Sequence, residues 1–168
     1  MMPRRPAPEP VQVVKQRRDE TLAALVGGVP YIGFLGARFE RRGDELTGIL
    51  PYADALIGNP LLPALHGGAT AAFLEMTAII SLGWAMLWPR IEGGAPVPEV
   101  GALPALPKTI DFTIDFLRTG LPRDAYARAQ ITRVGRRYAS VQAEAWQDNR
   151  DRPIAQASGH FLMPPRDE

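Results

Sequence analysis

The sequence contains no cysteine, which excludes disulfides, a thiol nucleophile and any Cys-ligated zinc site. Histidine is nearly as scarce. His66 and His160 are the only two, too few for a His-rich metal centre. Lysine is limited to Lys15 and Lys108, so almost all positive charge is arginine. That bias suits bidentate contacts to carboxylate or phosphate, but a genomic preference explains it better. No sign of charge dominates: the formal net charge is +1, which gives no electrostatic reason to expect nucleic acid or an acidic membrane surface as partner. No apolar run follows the basic, proline-rich MMPRRPAPEP, so a secretory signal is not expected, and the expected compartment is the cytoplasm.

What is present is ordinary globular composition, 46% hydrophobic and 22% charged over 168 residues. That is enough chain for one domain with a real core. Four prolines in the first ten residues predict a disordered arm over 1–10, leaving one domain over 11–165. Val11 to Val26 reads as a helix with Val14, Leu22, Leu25 and Val26 inward, stopped by Gly27-Gly28. Phe34–Glu40 and Glu45–Leu50 read as a hairpin around Arg41-Arg42-Gly43-Asp44. Residues 51–65 read as irregular. The segment from Gly67 to Trp88 reads as a long helix ended by Pro89. Pro89–Pro107, with five prolines and three glycines, reads as a loop of the length used for lids and binding loops.

The last third alternates with period two. In Thr109–Phe116 the even positions Ile110, Phe112, Ile114 and Phe116 are apolar, which predicts a strand with that face buried. Asp111 and Asp115 then fall on the outer face of the strand or at a subunit seam. Ala125–Arg133, Tyr138–Gln147 and Ile154–Met163 behave similarly around short turns, giving an antiparallel meander. The class is therefore α+β: about six antiparallel strands, a long central helix over 67–88, and an N-terminal helix. Alanine-rich strand faces suit a sheet lying close to a helix or to another subunit.

Between His66 and Arg90 the only formal charge is Glu75. A stretch this apolar is long enough to span a bilayer, but its glycines, hydroxyls and alanines, flanked by soluble sheet, argue against that. A helix wrapped by a sheet has no need of a polar face. Glu75 still needs explaining, because a carboxylate in a dry core costs several kcal/mol unless paired or protonated. Gly67-Gly68 at the helix start let a ligand approach the backbone. The unpaired N–H groups of the first turn suit a developing oxyanion. Glu75 lies about two turns further on and about 80° round. The chemistry suggested is acyl transfer or hydrolysis without a cofactor.

These residues carry a resemblance. Asn59, His66-Gly67-Gly68 and an acid nine residues after the histidine are similar to the hotdog-fold thioesterases, specifically the phenylacetate-pathway (PaaI-like) acyl-CoA thioesterases. So are Lys108–Arg118, Arg133–Arg137 and Ala157–Leu162, and the similarity runs from about Tyr31 to Pro164. The resemblance implies a hotdog fold and hydrolysis of an acyl-CoA thioester to free acid and coenzyme A. It implies Glu75 as nucleophile or general base, Gly67 N–H polarising the carbonyl, and His66 and Asn59 orienting substrate and water. Thr109 would help place the water, and Arg136 and Arg137 would contact coenzyme A phosphates. It implies a homodimer with sites across the interface, or a tetramer of paired dimers, with no metal or redox cofactor.

The sequence departs from the pattern in three ways. Glu75 stands where many such proteins have aspartate, Asn59 lies one residue further from the histidine than expected, and the 89–107 loop is long. Direct attack and water activation both remain open. A non-catalytic acyl-CoA-binding protein and an enoyl- or 3-hydroxyacyl-CoA hydratase-dehydratase are the alternatives. His66 can equally cap the helix. His160, Trp84, Trp88 and Trp146 read as structural or pocket-wall residues.

Overall fold

The computed structural model describes residues 9–165; residues 1–8 of the expected disordered arm lie outside them. The chain runs α1 (Val11–Gly27), α2 (Pro30–Leu35), β1 (Arg38–Arg42), β2 (Glu45–Leu50), β3 (Ile57–Asn59), β4 (Ala64–Leu65), α3 (Gly67–Glu92), β5 (Lys108–Phe116), β6 (Ala125–Val134), β7 (Tyr138–Trp146) and β8 (Ala155–Leu162). Six strands form one antiparallel sheet in the order β1-β2-β6-β7-β8-β5, and β3 pairs only with β4. The edges are β1 and β5, so one side of β5 has no strand neighbour among the described residues.

The sheet curls around α3. Its inner face is paved with alanines, and Ala127, Ala145 and Ala155 are fully covered. Small side chains let the strands approach the helix, whose Phe73, Leu74 and Ile80 are completely buried. Each such side chain contributes about 1.5–3 kcal/mol of burial. By length and composition α3 would cross a membrane, yet 67% of its most apolar stretch is buried within the protein. The absence of a polar face therefore follows from the wrapping sheet. On α1 the inward residues are Thr21, Leu22, Ala24 and Leu25, while Val14 and Val26 are only partly covered. The Thr21 hydroxyl is satisfied by Arg17 O at 2.7 Å.

Four expectations are corrected. Phe34 is not in a strand: Pro30 at the first helical turn and Gly36 at φ 75° frame the short α2, and β1 starts only at Arg38. Proline pre-sets the helical φ, and glycine takes the left-handed position that ends it. Pro89 does not end α3, which continues to Glu92. The carbonyl it frees belongs to Ala85, an exposed residue, while Ile91 is 1% exposed and anchors the extra turn in the core. Residues 51–65 hold a 3-10 turn over Asp54–Leu56 and the β3–β4 pair. The fourth correction concerns β5. Its partners on β8 skip from Thr109↔Phe161 to Asp111↔His160, leaving Ile110 as an extra, bulged residue that is 53% exposed. A bulge breaks the period of two, so Thr109, not Ile110, shares the inner face with Phe112 and Ile114. Phe116, at the strand end, is also largely exposed.

Candidate active site

Glu75 projects from α3 towards the start of β5, half-buried. Its Oε1 accepts a hydrogen bond from the Thr109 hydroxyl at 2.6 Å. The Ile110 bulge makes this contact possible, because strict alternation would aim Thr109 outward. Among the described residues no cation pairs with Glu75. Its carboxylate is thus oriented by a neutral donor.

Two turns earlier, the N-terminus of α3 is arranged by His66. Its Nδ1 accepts from Gly68 N at 2.8 Å, an N-cap that requires the neutral ring with its proton on Nε2. The His66 carbonyl accepts from Ala69 N at 3.0 Å and Thr70 N at 3.1 Å. Three of the first four amide donors are therefore satisfied, and Gly67 N–H is the one with no acceptor among the described residues. Gly67 lines a cleft of about 470 Å³ with Thr70, Phe116 and Arg118. A Cβ at Gly67 would sit 3.2 Å from the Phe116 ring, so glycine keeps this backbone open to the cleft.

The β3–β4 pair clamps His66 from the other side. His66 N donates to Leu56 O at 2.7 Å. A Cβ on Gly58 would lie 2.7 Å from His66 Cα, so only glycine allows this approach. Asn59 follows directly, but its Oδ1 accepts from Leu61 N at 3.1 Å and Leu62 N at 3.3 Å. The carbonyl end of its amide closes its own turn, and the NH₂ end is left to point elsewhere. Upstream, the Tyr52 hydroxyl donates to Asp54 at 2.7 Å; that bond, with some burial, pushes the phenol above its ordinary value.

Arg136 and Arg137 are exposed on the β6–β7 turn, closed by Gly135 N to Tyr138 O at 2.7 Å. The register Lys108↔Leu162↔Tyr138 puts this turn at the Thr109 end of the sheet, about 10 Å across two strand spacings. The structure therefore joins Glu75 to Thr109 and His66 to Gly68 and Gly58, and leaves the arginines at a distance. His160 lies on the outer face, its Nδ1 2.9 Å from Asp111 Oδ1, and takes no part in the site. Among the described residues no cluster of three or more metal-ligating side chains exists.

Residues 59–162 match the family model described as acyl-CoA thioesterase N-terminal domain. No curated protein matches the sequence. Among solved structures, a Chromobacterium violaceum protein is 34% identical, covering 92% of this chain and 98% of its own, with a TM-score of 0.60. A phenylacetic acid degradation-related protein of Ralstonia eutropha is 21% identical over 85% of this chain and 99% of its own (TM-score 0.62). A Bacillus halodurans protein solved with CoA is 19% identical over 95% and 97% (TM-score 0.60). With its family match spanning more than half its length and a helix wrapped by a six-stranded antiparallel sheet, the chain belongs to the acyl-CoA thioesterase family of hotdog proteins.

Proposed function

We propose that the protein hydrolyses an acyl-CoA thioester to the free acid and coenzyme A. The observation that carries this reading is Glu75: a lone carboxylate on an apolar helix, held by the Thr109 hydroxyl and unpaired with any cation among the described residues. In the proposed reaction the thioester carbonyl accepts a hydrogen bond from Gly67 N–H. Oxygen is delivered to the carbonyl carbon either by Glu75 itself, through an anhydride that water then cleaves, or by water that Glu75 deprotonates. The C–S bond breaks and the thiolate leaves as coenzyme A. With Nδ1 occupied as a cap, His66 has its Nε2–H available to the substrate, and the Asn59 NH₂ is available to orient it. Arg136 and Arg137 are the proposed contacts for coenzyme A phosphates. The reaction calls on no metal or redox group, and the protein is assigned to the cytoplasm.

Geometry argues for two copies of the chain. Gly67 and Glu75 are eight residues apart on one helix, about 12 Å along its axis. Reacting atoms must come within about 3–3.5 Å, so one chain cannot present both groups to one carbonyl. A homodimer that sets Glu75 of one copy beside Gly67 of the other can, and a tetramer would pair two such dimers. The Bacillus halodurans protein solved with CoA and the Ralstonia eutropha protein named for phenylacetic acid degradation support the substrate class. The test is free-thiol release over a panel of acyl-CoA thioesters. The Glu75→Gln variant is expected to lose about 10²–10⁴-fold in kcat. Unchanged turnover in that variant refutes the assignment, and tight acyl-CoA binding without thiol release by the wild type would favour a binding protein.

A further inference from the structure

The cleft beside Gly67 has one wall without regular structure. Leu117, Arg118, Thr119 and Gly120 line it in succession, in the connection between β5 and β6. That connection also grips β4, which leads into α3: Gly120 O accepts from Leu65 N at 2.9 Å, two residues before Gly67. The contact is tight, since a Cβ on Gly120 would lie 3.2 Å from Leu65 Cβ. The start of α3 is thus held from two sides, by Leu56 O on His66 N and by Gly120 O on Leu65 N. A loop can fix another backbone only if it is itself fixed. The first end of this one is tied by Leu117 N and Arg118 N to Ile154 O at 2.8 and 3.1 Å. Its middle, with Gly120 and Pro122, has no strand partner among the described residues.

Gln147, directly after β7, takes the place of that partner. It is buried, as are Thr21, Thr70 and Thr77 among the polar side chains, but those three hydroxyls bond back within their own helix or its cap. Gln147 instead reaches across the chain. Its Oε1 accepts from Leu121 N at 2.9 Å, and its Nε2 donates to Leu121 O at 2.8 Å and to Arg123 O at 3.1 Å. The side-chain amide satisfies both backbone groups of Leu121, as a neighbouring strand would. It does not line the cleft, so any effect on the site passes through the loop. We infer that Gln147 is a positioning residue for Gly67 N–H: it fixes Leu121 and so places the Gly120 carbonyl that holds Leu65 and the start of α3. The inference rests on the proposed role of Gly67 N–H at the thioester carbonyl. Displacing a reacting group by about 1 Å from afar can cost about 10²-fold in rate.

The main test is Gln147→Met in the full chain, which keeps an unbranched side chain of similar length but removes both donors. Its kcat should fall by about 10–100-fold with KM nearly unchanged, as when an interaction made only in the transition state is lost. In the Gly67→Pro background there is no N–H to place, so the same substitution should cost no further kcat; independent effects would multiply. Gln147→Glu adds a pH readout. Its ionised carboxyl would face two carbonyl oxygens in a buried place, which raises its pKa. Divided by the wild type at each pH, its activity should be highest in acid, where the protonated carboxyl donates, and fall as pH rises through that pKa. Amide hydrogen exchange reads the positioning without turnover: Leu65 N–H should lose protection in Gln147→Met while the core amides of α3 stay slow. Unchanged protection at Leu65, losses that multiply in the double variant, or a Gln147→Glu variant that tracks the wild type at every pH would each overturn the proposal. Protection lost throughout α3 marks a merely structural role and overturns it too. A wild type that releases no thiol refutes the Glu75 reading instead, and the exchange result then decides on its own whether Gln147 places Leu65.

Discussion

Gly67 offers a test that a side-chain substitution cannot, because its proposed role rests on a backbone N–H. It occupies the first position of α3, after His66 at φ −63° and ψ 130°. Proline is favoured at that helix position, and its predecessor is required to be extended. Gly67→Pro should therefore fold and delete the unpaired donor, with the exposed Phe116 ring, 3.2 Å from the added Cβ, swinging aside; Gly67→Ala, which keeps the N–H, controls for that added bulk. The expected outcome for Gly67→Pro is a fall of about 10²–10³-fold in kcat, the scale of losing one oxyanion donor, with the melting temperature nearly unchanged; thiol release and a thermal melt check both. His66 is a poorer probe. Its ring caps Gly68, and an alanine there would cost about 1 kcal/mol of stability together with any effect on substrate.

At the scale of elements, β3 matters more than its three residues suggest, since it presses Gly58 against the backbone of His66. Gly58→Ala should force the two apart, costing about 1–3 kcal/mol and lowering kcat through the displaced helix start; chemical denaturation alongside the activity assay reads both. This clamp was not legible in the sequence, where residues 51–65 show only turn residues and no periodicity. The meander was legible because each strand buries one face and so alternates. Glu75 stood out because it is the one formal charge between His66 and Arg90. Its partner Thr109 was named only through the resemblance: the alternation of Thr109–Phe116 places Thr109 outside, and the Ile110 bulge that reverses it arises from pairing with β8, which no local pattern records. The helix end was misjudged for a related reason. Pro89 breaks a hydrogen bond, but its cost is met at an exposed carbonyl while Ile91 gains full burial.

For the whole molecule, the separation of Gly67 and Glu75 along one helix makes assembly a requirement of the proposed mechanism. Mixing the Glu75→Gln and Gly67→Pro chains under exchange conditions provides the check. Each variant alone is inactive, but half of the mixed dimers would be heterodimers with one of two sites intact. About a quarter of wild-type activity should return; a site contained within one chain predicts none. The one-sided pairing of β5 has a consequence beyond catalysis. A nine-residue edge with Ile110 and Phe116 in the open is a template on which any strand can polymerise. An association through that edge would cover it, and a proposed dimer built that way would lose solubility as well as turnover when dilution or mutation splits it. A cell expressing such a variant would then face precipitate rather than an idle monomer.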